Sequence, residues 1–260
     1  MTKTILITGA TDGIGLLTAK TLAADSHTVL LHGRSDDKLA SAARDLGGSP
    51  ETYRADLSRL EEVDALVTSI RSRHDRLDVL LNNAGVLKTA ETRTVDGLDV
   101  RFMVNTLAPC VLTRGLLPII PKDGRVISLS SAAQAPVDVG ALRGTVALDY
   151  SAAYAQSKLA LTIWSQELAA EHPEGPVFVA VNPGSLLASK MVRDSYGIAG
   201  NDLQIGADIL RRAAVSDEFA TASGQYFDND NGRFARPHKA AAEREHVTQV
   251  MAAIRELTGP

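Results

Sequence analysis

Short apolar runs recur along the chain at 4–8, 28–32, 52–55, 78–82, 125–130, 177–182 and 225–227. Several lack the polar alternation of a half-exposed strand, which marks parallel strands covered on both faces. Between them lie longer segments of helical character, at 14–19, 36–46, 59–74, 96–117, 151–172 and 204–215, with a last amphipathic piece near 240–257. Strands alternating with helices predict an α/β architecture: a doubly wound parallel sheet of about seven strands, flanked by helices that serve as crossovers. The turn Gly47-Gly48-Ser49-Pro50 lies inside one strand–helix–strand unit, and no repeat or low-complexity stretch appears. Residues 1–260 therefore read as a single domain. Two stretches break the rhythm, 135–149 and 184–201. Each follows a strand and emerges at the carboxyl edge of the sheet, where open α/β folds bind ligands, so both are expected to be substrate loops.

Composition narrows the function classes. The formal net charge of −4 offers no basis for binding nucleic acid or an anionic membrane. No apolar run reaches the length of a bilayer span, and Lys3 before the short Ile5-Leu6-Ile7 does not make a secretory leader. The single cysteine, Cys110, excludes an internal disulfide and falls in an apolar helical run, as a core residue does. A cytoplasmic protein with a small-molecule partner is expected, without nucleic acid, membrane or metal.

The chemistry starts behind the first strand, where Thr8-Gly9-Ala10-Thr11-Asp12-Gly13-Ile14-Gly15 opens a helix. Outward-pointing N–H groups at a helix start bind phosphate, and the glycines permit a tight turn and close approach of a pyrophosphate. A second constellation is Tyr154-Ala155-Gln156-Ser157-Lys158. Residues four apart share a helix face, so the Lys158 ammonium can stand beside the Tyr154 phenol and favour its ionised form. A tyrosine so tuned donates or accepts a proton near neutral pH. Ahead of this pair, a strand ends in Ser128-Leu129-Ser130-Ser131, placing a hydroxyl where it can meet a substrate carbonyl. Asn82-Asn83-Ala84-Gly85 closes the fourth strand, and Asn105 sits in a helical pattern that asparagine fits poorly, which calls for a polar partner.

Taken in order, these segments resemble the short-chain dehydrogenase/reductase family of the single-domain, Rossmann type, over nearly the whole chain. The matching motifs are Thr8-Gly9-x-x-x-Gly13-x-Gly15, Asp56-Leu57, Asn82-Asn83-Ala84-Gly85, Asn105, the serine, Tyr154-x-x-x-Lys158 and Asn182-Pro183-Gly184. The resemblance implies a catalytic tetrad of Asn105, Ser131, Tyr154 and Lys158. In it Tyr154 is the general acid/base and Ser131 orients the carbonyl. Lys158 tunes the tyrosine and binds the nicotinamide ribose, and Asn105 supports a water that relays protons. Ser131 is preferred to Ser130 because Ala132-Ala133 follow it; Tyr150 fails the motif because position 154 is not lysine. Cofactor contacts are implied at Gly9, Thr11, Asp12, Gly13, Ile14, Gly15, Asp56, Leu57, Asn83, Ala84, Gly85, Tyr154, Lys158, Pro183 and Gly184, with Asn82 bracing the sheet.

Arg34 and Ser35 follow the second strand where NAD sites commonly carry an acid. A guanidinium suits a 2′-phosphate, so NADP(H) is favoured over NAD(H), with Asp36 and Asp37 starting the next helix and Asp12 as the discordant acid. The excess length at 135–149 is similar to the retinol-dehydrogenase-like branch. Its Val137, Val139, Leu142, Val146 and Leu148, with Leu186, Leu187, Met191 and Val192, read either as an apolar pocket or as closure of the core. Arg143 and Arg193 are read as solvated surface. Ser189 replaces the family's threonine after Pro-Gly if the loop holds one extra residue. The expected activity is hydride transfer between nicotinamide and a carbonyl or secondary alcohol. The alternatives are reduction of an activated C=C bond and cofactor sensing without turnover. Pairing as a homodimer or homotetramer through the helices at 96–117 and 151–172 is also implied, with the insert as its obstacle.

Overall fold

The computed structural model describes residues 2–259. Seven parallel strands form where the apolar runs predict them: β1 (Thr4–Ile7), β2 (Thr28–Gly33), β3 (Thr52–Arg54), β4 (Val79–Asn82), β5 (Arg125–Leu129), β6 (Val177–Asn182) and β7 (Tyr226–Asp228). An eighth, β8 (Arg233–Ala235), pairs antiparallel with β7 and completes the order β3-β2-β1-β4-β5-β6-β7-β8. β8 is three residues long and mostly polar in its surroundings, so periodicity does not announce it. Its Phe234 packs against Phe219 and Phe227, with ring centroids 5.3 and 5.1 Å apart.

Successive residues of one strand enter opposite cores, as a pleated strand requires. Leu6, Leu80, Val126 and Phe178 pack on one face with α3 (Leu60–Arg71), α5 (Ala108–Leu116), α7 (Tyr150–Glu171) and α10 (Arg244–Thr258). Ile5, Ile7, Leu81, Ile127 and Val181 pack on the other, with α1 (Gly13–Ala24), α2 (Asp36–Leu46) and α9 (Leu203–Val215). Burial on both faces explains why these strands carry no polar alternation.

The helix predicted at 96–117 differs in detail. It begins at Val100, runs as α4 (Val100–Phe102), passes through a π turn at Met103–Leu107 and continues as α5. The contiguous segment Val100–Ile119 is 20 residues long with a mean hydropathy of 1.3, long and apolar enough to span a bilayer, which corrects the expectation that no stretch is. Here it is a core helix, 67% buried within the fold.

The two long loops have structure of their own. The 135–149 stretch carries α6 (Val139–Leu142), which packs against α10. Val137 and Leu142 are core residues, Val139 and Leu148 lean on that core, and Val146 is exposed. The 184–201 stretch carries α8 (Lys190–Tyr196) and is closed by the hydrogen bonds Asn201 N–H to Leu186 O and Ala188 N–H to Asn201 O, both 2.7 Å.

Candidate active site

One cleft of about 470 Å³ runs along the carboxyl edge of the sheet. Its wall holds Gly9, Thr11, Asp12, Gly13, Ile14, Arg34, Ser35, Asp56, Leu57, Asn83, Ala84, Gly85, Tyr154, Lys158 and Pro183, all singled out in the sequence. Gly15, Asn105, Ser131 and Gly184 lie outside that wall.

The glycine loop is shaped by close approach. A Cβ on Gly15 would stand 2.3 Å from the Gly9 carbonyl oxygen and 2.4 Å from Asn83 Nδ2, so only glycine leaves that space. Asn83 Nδ2 donates to Thr8 O at 2.8 Å and to Gly9 O at 3.2 Å, while Thr8 Oγ1 accepts from the N–H groups of Asn83 and Ala84. Asn83 thus holds the loop from behind while facing the cleft. Asp12 is the N-cap of α1, its Oδ1 accepting from Gly13 N–H at 2.7 Å. That accounts for an acid in a phosphate loop: it satisfies one of the helix's free donors. Asn82 donates to Thr113 Oγ1 at 3.0 Å, consistent with bracing.

His32, Lys38 and Val104 also line the cleft, and the sequence reading passes over all three. His32 Nδ1 accepts from Gly9 N–H at 3.3 Å and its Nε2 lies 3.1 Å from Ala55 O. Complete burial pushes its pKa down to about 4, so the ring is neutral and couples the glycine loop to the end of β3. Its signal was masked because a histidine inside an apolar strand reads as core. Asp36 and Asp37 stand in the first turn of α2, as the sequence implies, and Ser35, read there beside Arg34 as a 2′-phosphate contact, is the N-cap of that helix. Lys38, one turn into α2, comes to the same end of the cleft as Arg34. Asp36 is drawn to Arg54 at 3.8 Å.

At the other end stand Tyr154 and Lys158 on α7. Lys158 is 4% exposed, its Nζ donates to Leu129 O at 2.6 Å and lies 5.6 Å from the centre of the Tyr154 ring. Burial lowers the lysine pKa to about 8. Asn105 supplies the polar partners that its place in a helix demands. The π turn inserts an extra residue and turns its side chain inward. Its Oδ1 accepts from Val86 N–H at 2.8 Å, and its Nδ2 donates to Val86 O at 3.0 Å and Ser157 Oγ at 2.9 Å. Ser157 in turn donates to Tyr154 O at 2.7 Å, and Thr106 Oγ1 donates to Ser157 O at 2.8 Å. Asn105 therefore sits behind the cleft and locks the loop after β4, at Val86, to α7, between the tyrosine and the lysine.

The two serines at the end of β5 part company. Ser130 is buried in the wall with its hydroxyl against Thr162 Oγ1 at 2.7 Å. Ser131 is half-buried, its hydroxyl accepting from Ala133 N–H at 3.1 Å. Among the described residues, none from 135–149 lines the cleft; Ser189, Lys190 and Met191 from the other long loop do. Leu187 points into the core against Gly184 and Gly206. Arg143 pairs with Glu256 at 2.8 Å, and Arg193 donates to Ala188 O at 2.7 Å.

A cradle of glycines at a helix start, a basic corner and a buried acid/base pair in one cleft fit a nicotinamide dinucleotide. Known proteins agree. Residues 3–196 match the family model described as short chain dehydrogenase. The chain is 30% identical over 272 residues to human retinol dehydrogenase 13, covering 95% of this chain and 81% of that protein. It is 32% identical to human polyprenol dehydrogenase over 88% of this chain and 77% of the relative. Among solved structures it is similar to the landomycin C-6 ketoreductase LanV with bound NADP and rabelomycin, at a TM-score of 0.69 and 27% identity, covering 88% of this chain and 95% of that one.

Proposed function

This chain belongs to the short-chain dehydrogenase family and is an NAD(P)-dependent oxidoreductase, and from that premise we propose that it uses NADP(H) on an apolar carbonyl or alcohol. The observation that carries the reading is the continuity of the cleft, which joins the phosphate cradle at Gly9–Ile14 to Tyr154 and Lys158.

When bound, the nicotinamide supplies or takes the hydride. The chain's own residues do the rest. Tyr154 Oη gives its proton to the oxygen of the carbonyl as that carbon accepts the hydride, and takes it back in alcohol oxidation. The Lys158 ammonium, held by Leu129 O and close to the tyrosine ring, favours the phenolate left by proton transfer and binds ribose hydroxyls. Ser131 holds the substrate oxygen by its hydroxyl. Asn105 keeps Val86 and Ser157 in register, so the lysine and tyrosine stand at a fixed spacing.

Arg34 and Lys38 at the adenosine end support a 2′-phosphate, which a ribose diol does not need. The NADP found in LanV points the same way. Val86, Val104, Leu129 and Met191 make the catalytic half of the cleft apolar. This agrees with the retinol dehydrogenase, polyprenol dehydrogenase and ketoreductase named among the relatives.

The test is consumption of NADPH by the purified protein with a panel of apolar aldehydes and ketones, followed by absorbance of the reduced nicotinamide. Tyr154→Phe should lower kcat by ~100-fold or more while the protein still binds NADPH. Full turnover by that variant sinks the mechanism. Cofactor binding without turnover of any panel member favours a sensor instead.

A further inference from the structure

The matched family region ends at residue 196, well before the β7–β8 hairpin, yet that hairpin reaches back into the site. Asn229 Nδ2 donates to Pro183 O at 2.9 Å. The next residue, Asp230, accepts from Ser185 N–H at 2.7 Å through Oδ1, and from Ser185 Oγ at 2.6 Å and Asn182 Nδ2 at 2.9 Å through Oδ2. Asp228 Oδ1 accepts from the same Asn182 amide at 2.9 Å. Two adjacent hairpin residues thus grip the chain on both sides of Gly184, whose φ of +123° is open to glycine and strained for other residues.

The hairpin is itself rigid. Phe219, Phe227 and Phe234 form a ring cluster with centroids 5.1 to 5.3 Å apart, and β8 pairs with β7 along three residues. Its first strand touches the other wall of the site as well: the Tyr226 hydroxyl donates to Ser131 O at 3.1 Å. Burial raises the Asp230 pKa, but the bonds from Ser185 and Asn182 outweigh it and hold the carboxyl below its ordinary value. The group is charged at neutral pH, when its hydrogen bonds are strongest.

We propose that Asn229 and Asp230 are positioning residues that hold the Pro183–Ser185 loop in the shape that receives the nicotinamide half of the cofactor. The proposal rests on the cofactor assignment above, and deepens it. Both hydrogen-bond donors of Ser185, its N–H and its hydroxyl, are committed to Asp230, while Ser189, whose Oγ accepts from Val192 N–H at 3.2 Å as the N-cap of α8, is the serine of this loop that lines the cleft.

The two halves of the cofactor separate this role from general stability. 2′,5′-ADP, which lacks the nicotinamide half, would reach only the adenosine end, whereas NADPH would span the whole cleft. Calorimetry on the full chain should show Asp230→Ala weakening NADPH by about tenfold with 2′,5′-ADP affinity unchanged. Asn229→Ala should show a smaller loss of the same kind. Asp230→Asn, which keeps an acceptor for Ser185 N–H, should recover part of the affinity. If Asp230→Ala does not fold, Asn229→Ala and Asp230→Asn decide the matter. Equal weakening of both ligands, or of neither, overturns the proposal. Failure of the unmodified protein to bind either ligand overturns the cofactor assignment itself.

Discussion

Replacing Asn105 by leucine keeps the side-chain volume and removes every hydrogen bond it makes. The carboxamide serves Val86 N–H, Val86 C=O and Ser157 Oγ at 2.8 to 3.0 Å, and the residue is fully buried. Ser157 keeps its own bond to Tyr154 O, so its hydroxyl is not orphaned. Val86 loses partners for both backbone groups, at about 1–3 kcal/mol each when no replacement is found. Val86 lines the cleft, so water reaches it and restores part of that loss. The net expectation is about 2–4 kcal/mol, which for a chain of this size lowers Tm by about 5–12 °C. The single tryptophan, Trp164, is buried in α7, so its fluorescence reports the unfolding directly. Because the loop after β4 then drifts from α7, NADPH affinity should fall as well. A melting temperature within about 1 °C of the unmodified protein, at unchanged NADPH affinity, would falsify the locking role.

Three further outcomes follow from the same geometry. Lys158 has a folded-state pKa of about 8 against an ordinary 10.5, so below pH 8 both states carry the proton and burial of the charge costs roughly 3 kcal/mol. That cost is relieved as pH rises from 8 towards 10.5, because the folded state releases its proton first. In the absence of cofactor, denaturant titrations should show Lys158→Met losing its advantage over the unmodified chain across that window; a pH-independent difference refutes it. Arg34→Ala with Lys38→Ala should weaken NADPH by ~10–100-fold while sparing NADH; equal effects on both cofactors refute the 2′-phosphate assignment. Finally, α10 packs against α6 and α7, the second of which is a helix expected to pair two chains. Light scattering should therefore give the monomer mass of 27.6 kDa, and a stable mass of twice that refutes the screening.

What is local in this protein is legible in its sequence. The strands announce themselves because residues buried on two faces must be apolar throughout, and the register of β1 on β2 and β4 only adds order to runs already visible. The glycine loop and the Tyr154/Lys158 pair are equally visible, since turn stereochemistry and the four-residue helical repeat act over a few residues. Length and periodicity also located both long loops, but not what each does. α6 joins the C-terminal helix, whereas the loop carrying α8 lends Met191 to the cleft.

The tertiary structure alone decided which distant polar groups meet. His32 reaches Gly9 from the neighbouring strand, Asn105 finds Ser157 through a π turn, and Asn229 and Asp230 grip a loop more than forty residues away in sequence. None of these has a spacing to read. A buried donor must find an acceptor somewhere, but sheet order and strand register, not neighbouring residues, select which one it finds. The sequence by itself therefore determined the sheet, the phosphate loop and the acid/base pair. The folded chain determined how rigidly they are held and from which side.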